Sequence, residues 1–261
     1  MSLDVEFKVW EGVYPRFSEA PVAGPGFSGP IWRERSLRAA REALSALNSG
    51  EPLDYALRQR NAPLPIVSAL LLSRKSHIRI LDFGGGLGTG FIVLAKALQA
   101  EARRVSYCVI ELENICADGR DLLCGDKNVT FLSGPPSEGT FDLVYSASAL
   151  QYSDDWKAMV VRLAAYQSPF IVFADCFVGE FESFATSQNY YGSRIPHWFL
   201  NRAELEGVLV GEGYSLAMRA DCDARILGRY GQLPMSNFPP DLRLKHSSHL
   251  LFTRSESREA P

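Results

Sequence analysis

The 261-residue sequence lacks any apolar stretch long enough to cross a membrane. Its longest apolar run, from Ile66 to Leu72, is interrupted by Ser68, whereas a spanning helix needs about 20 apolar residues. The first residues, Met1 to Asp4, also lack the basic and apolar pattern of a signal peptide. We therefore expect a cytoplasmic protein that makes no contact with a membrane.

Cysteine is scarce, and neither charge dominates. The five cysteines are odd in number and have no Cys-x-x-Cys spacing, which argues against a disulfide framework or a zinc knuckle. We expect no metal site. The net charge is −3, so the chain has no broad basic surface to neutralise a phosphate backbone. We expect a small-molecule partner rather than nucleic acid, and a homodimer is compatible with the sequence.

What the sequence does contain is a strand, a glycine cluster and a helix in immediate succession. The apolar run that starts at Ile78 predicts a short buried strand, and residues 91–98 predict an apolar helix. Between them stand four glycines, which let the backbone adopt positive φ and approach a ligand directly: Gly84, Gly85, Gly86 and Gly88.

The spacing of these glycines indicates the type of ligand. A dinucleotide fingerprint, Gly-x-Gly-x-x-Gly, fails because its last position is Thr89 when counted from Gly84 and Phe91 when counted from Gly86. The sequence instead reads Asp-x-Gly-x-Gly-x-Gly from Asp82 to Gly88. A carboxylate at the end of the strand attracts an amino group and repels a pyrophosphate.

Further strands are predicted to end at the same edge of a parallel sheet. The segment 105–111 is a strand that ends in Glu111, one strand-helix-strand unit after Asp82, so its carboxylate can accept hydrogen bonds from ribose hydroxyls. Glu113 is the nearest competitor for that role. The next strands cover residues 129–132, 141–146 and 169–175, and the last delivers Asp175 to the ligand edge.

These motifs resemble the class I S-adenosylmethionine-dependent methyltransferases. The resemblance covers residues 78–175 through the acidic glycine motif, the second acid and the small residues that follow the fourth strand. It implies an α/β, Rossmann-like sheet of seven mostly parallel strands with an antiparallel closing strand, here His249 to Arg254. It also implies S-adenosylmethionine as the cofactor and methyl transfer as the reaction.

A narrower resemblance is to a group of methyltransferases often encoded among surface-polysaccharide genes. It rests on Trp10 to Tyr14, the glycine motif, Leu150 to Tyr152 and the segment from Ser187 to Trp198. It implies a small polar acceptor, with a hydroxyl group of a saccharide or another metabolite as the methylated group.

The class I resemblance assigns further residues to the donor site. In that superfamily the loop after the third strand often contacts the adenine, and the first residue available here is Ser133. The fourth motif implies that Ser146, Ser148, Gln151 and Tyr152 lie near the transferable methyl group. We therefore expect the two serines to bind the cofactor, and Gln151 and Tyr152 to contact the acceptor.

The acceptor and the general base are expected in a long loop after the fifth strand. Residues 181–198 show no periodicity and concentrate amides, tyrosines, an arginine and a histidine, as a polar binding loop would. His197 is the best general base by residue type, with Asp175, Tyr191 and His246 as alternatives. The other residues expected to bind the acceptor are Gln188, Tyr190 and Arg194, and His246 is assigned to the same group.

The chain divides into three predicted parts. Residues 1–74 form an aromatic arm and helices that cover the site or pack on the sheet, with Ser36 as the cap of the first long helix. Residues 75–254 form the S-adenosylmethionine-binding domain, in which Asn201 and Glu204 form a reciprocal capping box. Residues 255–261 are a polar tail.

Two functions from other classes share the predicted fold. An NAD-dependent oxidoreductase would keep the second acid, but the glycine register opposes it. A catalytically silent protein that retains the fold for binding differs from an enzyme only in turnover. Cofactor binding followed by a turnover assay separates the three functions.

Overall fold

The computed structural model describes residues 7–136, 139–223 and 225–255. Residues 1–6 of the predicted arm and residues 256–261 of the predicted tail lie outside the described residues. The helices are α1 Pro30–Ser49, α2 Tyr55–Arg60, α3 Pro63–Leu72, α4 Thr89–Leu98, α5 Glu113–Leu122, α6 Trp156–Ala164 and α7 Arg202–Gly211. The strands are β1 Trp10–Tyr14, β2 Ile78–Phe83, β3 Val105–Ile110, β4 Val129–Leu132, β5 Leu143–Ala147, β6 Phe170–Cys176, β7 Val178–Gly179, β8 Phe184–Tyr190, β9 Ser193–Asn201, β10 Tyr214–Cys222, β11 Arg225–Ile226, β12 Arg229–Tyr230 and β13 Ser247–Arg254.

Seven of these strands form the central sheet, in the order β10-β13-β6-β5-β2-β3-β4. The five strands from β6 to β4 are parallel, and β13 pairs antiparallel with both β6 and β10. The predicted fold class is therefore confirmed: an α/β, mostly parallel seven-stranded sheet with an antiparallel closing strand.

The middle strands are apolar because helices cover both of their faces. Helices α3 and α4 pack on one face, where Leu64 and Ile92 join Ile80 and Tyr107 in one core. Helices α6 and α7 pack on the other face, where Val160 and Leu205 belong to a second core. The order of the strands brings the carboxyl ends of β2, β3, β5 and β6 to one edge of the sheet, where ligands bind in open α/β folds.

A second sheet, in the order β1-β8-β9-β7, corrects the prediction of a loop over residues 181–198. Strands β8 and β9 form a hairpin that turns at Tyr191 and Gly192, and both residues have positive φ, as two-residue hairpin turns require. Two polar residues of β8 are buried and bonded to the N-terminal arm: Thr186 Oγ1 donates to the carbonyl of Glu11, and Ser187 Oγ donates to that of Pro21. A strand buried in this way shows no apolar alternation.

Two predicted helix caps differ in the structure. Helix α1 begins at Pro30, whose fixed φ suits the first helical position, so Ser36 lies inside the helix and is not its cap. Asn201 does cap α7 by accepting the N–H of Glu204 at 2.8 Å. Glu204 does not reach back, however, because its carboxylate binds Lys157 at 2.9 Å while the N–H of Asn201 donates to Ser183 Oγ.

Helix α1 lies beside the glycine loop. Its residue Ala40 packs with Leu87 of the loop and Ile115 of α5. Arg33 of α1 donates two hydrogen bonds to the carboxylate of Asp118 on α5, at 2.6 and 2.5 Å. Within the described ranges, no helix is long and apolar enough to span a membrane.

Candidate active site

The loop between β2 and α4 is built around close backbone contacts. Gly84, Gly86 and Gly88 all have positive φ, as the sequence predicts for a ligand-binding glycine loop. A Cβ at Gly84 would lie 2.3 Å from the Cβ of Ala149, and one at Gly85 would lie 2.2 Å from Asp82 Oδ2. At Gly86 a Cβ would meet no atom of the described chain within 4 Å. Gly86 therefore faces open space of the kind that a ligand would occupy.

Asp82 lies beneath this loop and is only 1% exposed. The hydroxyl group of Tyr107 on β3 donates a hydrogen bond of 2.6 Å to Asp82 Oδ2, while Oδ1 has no hydrogen-bond partner among the described residues. Burial raises the pKa of Asp82 to about 7. The carboxyl group thus has one buried oxygen available and can change its charge near neutral pH.

Glu111 follows β3 and lies next to the glycine loop. Its Oε2 accepts the N–H of Gly86 at 3.3 Å, and its Oε1 accepts the N–H of Leu112 at 2.9 Å. Burial raises the pKa of Glu111. The competitor Glu113 instead forms an ion pair with Arg120 at 2.5 Å, and the hydroxyl group of Ser133 contributes a hydrogen bond to the same carboxylate.

The end of β5 contributes small and polar residues to the same edge. Ser146 is buried, and its hydroxyl group has no partner among residues that the structure describes. Ser148 has a φ of 55°, and its hydroxyl group accepts a hydrogen bond of 3.2 Å from Gln151 Nε2. The amide oxygen of buried Gln151 is likewise without a partner in the described parts of the chain. Tyr152 donates a hydrogen bond of 2.9 Å to Gln188 Oε1.

Asp175 is the penultimate residue of β6 and has an unusual backbone conformation, with a φ of 49°. In its buried carboxylate, Oδ1 accepts a hydrogen bond from the hydroxyl group of Ser247, and Oδ2 lies 3.3 Å from Arg60 Nε. Its backbone N–H donates to Nδ1 of His249. Non-glycine residues in this conformation cost free energy and cluster at functional sites.

The structure places the predicted general base His197 away from solvent, on β9 rather than in a loop. Its side chain is 0% exposed, and the rings of Trp10, Tyr152, Phe177 and Phe199 surround it with centroids 4.8–5.6 Å away. Neither ring nitrogen has a partner among the described residues. Burial lowers the pKa of His197 to about 3.

Three other predicted residues lie at the periphery. Tyr191 occupies the hairpin turn, where it is exposed and Arg35 stacks over its ring. Arg194 contacts Glu11 of the N-terminal strand at 3.4 Å. His246 pairs with Asp223 at 2.9 Å.

Apart from the three peripheral residues, the predicted site residues form three groups. The sheet edge brings together the predicted cofactor residues and Asp175, while Tyr152, Gln188 and Tyr190 are joined by contacts at its side: Tyr152 bonds Gln188, and Phe27 packs against both tyrosines. His197 lies in an aromatic core next to this second group. Sequence reasoning missed Tyr107, Arg60, Ser247 and His249, which reach the edge through tertiary packing and carry no motif.

A large cavity of about 780 Å³ lies elsewhere, on the α6 face of the sheet. The connection from β4 to β5 contains no helix among its described residues, so this part of the sheet is less covered. Phe83 and Ile110 line the cavity together with Met159 and Tyr166, but none of the unpartnered polar atoms described above does. We therefore locate the candidate site from the strand ends rather than from the size of this cavity.

Comparison with known proteins adds information on the fold. No protein-family model matches the sequence, and no curated protein matches it. The narrower resemblance to methyltransferases of polysaccharide gene clusters is therefore not supported.

Solved structures do resemble the chain. One is the Burkholderia thailandensis 1,6-didemethyltoxoflavin-N1-methyltransferase with bound 1,6-didemethyltoxoflavin and S-adenosylhomocysteine, at 15% identity and a TM-score of 0.51 over 91% of this chain and 95% of that one. Another is the mitomycin 7-O-methyltransferase MmcR, at 13% identity and a TM-score of 0.50 over 88% of this chain and 70% of that one. At such identities the similarity concerns the fold alone. The chain thus has the fold of the class I S-adenosylmethionine-dependent methyltransferases.

Proposed function

We propose that this protein is an S-adenosylmethionine-dependent methyltransferase that acts on a hydroxyl group of a small polar acceptor, a saccharide or another metabolite. The observation that carries the proposal is the glycine loop, in which Gly86 faces open space and bonds Glu111. Without a ligand, Oδ1 of Asp82 is a buried oxygen with no hydrogen-bond partner among the described residues. Buried polar atoms of this kind are rare in folded proteins.

Each acid has a distinct role in holding the donor. The ionised form of Asp82 attracts the amino group of the methionine part, since an anion at the end of β2 favours a cation. Glu111 accepts hydrogen bonds from the ribose hydroxyls, in place of the weak 3.3 Å contact with Gly86. Both bonds are charge-assisted and correspondingly strong.

The bound donor supplies an electrophilic methyl group on a sulfonium. The protein's own contribution is to hold the acceptor hydroxyl in line with that methyl group and to accept its proton. We assign the proton to Asp175, because its carboxylate lies at the strand edge beside Ser247 and Arg60. Ser146 and Gln151 offer buried oxygens to the acceptor from the end of β5.

His197 has a different role in this proposal. Its ring is enclosed by aromatic side chains and its pKa is lowered to about 3 by burial, so it stays neutral and packs the second sheet against Tyr152. Tyr191 and His246 lie at the periphery and take no part in the reaction. Helix α1, within the predicted N-terminal region, covers the donor from beside the glycine loop.

A titration tests the proposal. S-Adenosylhomocysteine should bind the purified protein with a micromolar Kd, about −8 kcal/mol, while NAD gives no heat. Transfer of labelled methyl from S-adenosylmethionine to a metabolite extract should then distinguish an enzyme from a silent binding protein. Preference for NAD would refute the donor assignment.

A pair of glycine variants makes the test specific to the loop. Gly86 and Gly50 both have positive φ and open space at the Cβ position, so alanine should destabilise each by roughly 1–2 kcal/mol. In Gly86→Ala the added methyl group also occupies the proposed donor space, and affinity for S-adenosylhomocysteine should fall by about tenfold or more. Gly50→Ala, at the end of α1, should bind normally. Equal binding by both variants would show that the donor does not approach Gly86.

A further inference from the structure

Arg60 presents a largely unengaged guanidinium group at the acceptor side of the site. Its side chain is 47% exposed, and its Nε lies 3.3 Å from Asp175 Oδ2. This ion pair is its single polar side-chain contact within the described ranges, and its two Nη groups keep their donors free. A guanidinium has five N–H donors in a planar fork that matches carboxylate and phosphate oxygens.

The backbone around Arg60 is held in place by neighbouring bonds. Tyr145 of β5 donates a hydrogen bond of 2.9 Å to Asn61 Oδ1. The ring of His249 accepts the N–H of Asp175 at 3.2 Å and also bonds the carbonyl of Gln59. The bonds to Asn61 and Gln59 fasten the end of α2 to β5 and β13 of the central sheet. The guanidinium is thus carried by a fixed backbone, as a binding group should be.

Aromatic side chains form a wall near the guanidinium. Phe27 packs edge-on against Tyr152 and Tyr190, with ring centroids 4.9 and 5.6 Å apart. Burial raises the pKa of Tyr190, and the charge of Arg60 acts in the opposite direction on this hydroxyl group, so the two groups lie within electrostatic range. The acceptor side therefore combines a cationic group with flat apolar surfaces.

We propose that the acceptor carries a carboxylate or a phosphate, and that Arg60 binds this anion. The inference rests on the proposed methyltransferase function and adds the chemical class of the acceptor. Arg60 is shared between Asp175 and the acceptor anion, so it orients the acceptor hydroxyl toward the carboxylate that takes its proton.

Matched pairs of small ligands test the inference with the full-length protein saturated with S-adenosylhomocysteine. The pairs are 4-hydroxybenzoate with 4-hydroxybenzamide, glucuronate with glucose, and glucose 6-phosphate with glucose. In at least one pair the anion should bind about 10–100-fold more tightly than its neutral partner, the range expected for charge-assisted hydrogen bonds. The carboxylate and phosphate arms show which anion the site prefers.

Two arginine variants assign the selectivity to its source. Arg60→Gln should abolish the preference for the anion, while Arg58→Gln removes the same charge from the same helix and should leave it intact. Affinity for S-adenosylhomocysteine should be unchanged in both, which separates this test from that of the proposed function. The inference is overturned if no anion binds in preference to its neutral partner, or if Arg60→Gln keeps the preference.

Discussion

Burial shifts the pKa values of Asp82 and His197 in opposite directions, so both groups make the stability of this protein depend on pH. Substitutions can measure each contribution. The pKa of Asp82 is raised from 3.8 to about 7, and that of His197 is lowered from 6.5 to about 3, in both cases by burial. Folded Asp82 keeps its proton between pH 3.8 and 7 while the unfolded chain releases it. Its contribution to stability is therefore complete below pH 3.8 and is lost as the pH rises to 7.

His197 acts in the opposite direction. Below pH 6.5 the unfolded chain binds a proton at His197, whereas the folded protein does not bind this proton until about pH 3. Its contribution is therefore complete above pH 6.5 and is lost as the pH falls. Each group contributes a slope of about 1.4 kcal/mol per pH unit, and the two slopes cancel between roughly pH 4 and 6.5 in the natural protein.

When either group is replaced by a residue that does not titrate, the free energy of unfolding should show the pH dependence of the other group alone. Asp82→Asn cannot ionise but can still accept the bond from Tyr107, so its free energy of unfolding should rise relative to the natural protein from pH 4 to 7. The total gain should be roughly 4 kcal/mol, and it should remain constant above pH 7. His197→Leu should show the reverse trend, gaining relative stability as the pH falls from 6.5 to 4.

Urea unfolding followed by circular dichroism at intervals of half a pH unit measures these differences. The double variant should combine both trends, because neither group contributes to the pKa shift of the other. Subtraction of the natural protein's curve removes the slopes of all other carboxylates and histidines. An Asp82→Asn curve that runs parallel to the natural one from pH 4 to 8 would mean that Asp82 ionises like an exposed carboxylate, and the reasoning from burial would fail.

Two further substitutions address the site. Glu111→Ala should weaken binding of S-adenosylhomocysteine by about 1.5–3 kcal/mol in a calorimetric titration. The thermal midpoint of the ligand-free protein should be nearly unchanged. Glu113→Ala is the matched control, and equal affinity in the two variants would contradict the ribose role. Asp175→Asn should lower kcat for the identified acceptor by roughly 10²–10⁴-fold without loss of donor affinity, and an undiminished kcat would leave Asp175 as a partner of Arg60 alone.

The central sheet could be predicted from the sequence because its signals are local. Apolar strands, a glycine cluster and the helix that follows it each occupy adjacent residues, so their order determines the parallel arrangement from β2 to β6. The proximity of Glu111 to the glycine loop also followed from the length of one strand-helix-strand unit. The prediction of S-adenosylmethionine rested on the acid at Asp82, and the structure adds Tyr107 as its bonded partner.

The acceptor side could not be predicted in the same way. Strand β8 buries polar residues on both faces and bonds them to the N-terminal arm, so its pattern resembles a loop. His197 was chosen by residue type, and nothing in the sequence indicated the aromatic rings that enclose it. Arg60 stands in a short helix more than 100 positions before Asp175, and only the tertiary structure joins them.

The pairing of β1 with β8 has a consequence for the order in which the protein folds. Glu11 and Thr186 lie 175 residues apart in the chain, which corresponds to roughly 10–35 s of synthesis on a ribosome. Trp10 also accepts a bond from Asn237 and packs against Phe199, so its binding place is complete only when nearly the whole chain has emerged. The parallel strands β2 to β5, with the glycine loop, form from sequence that is finished much earlier. A nascent chain can therefore form the strands that carry the glycine loop first. The second sheet, in which β1 pairs with β8, forms only after the later strands have been synthesised.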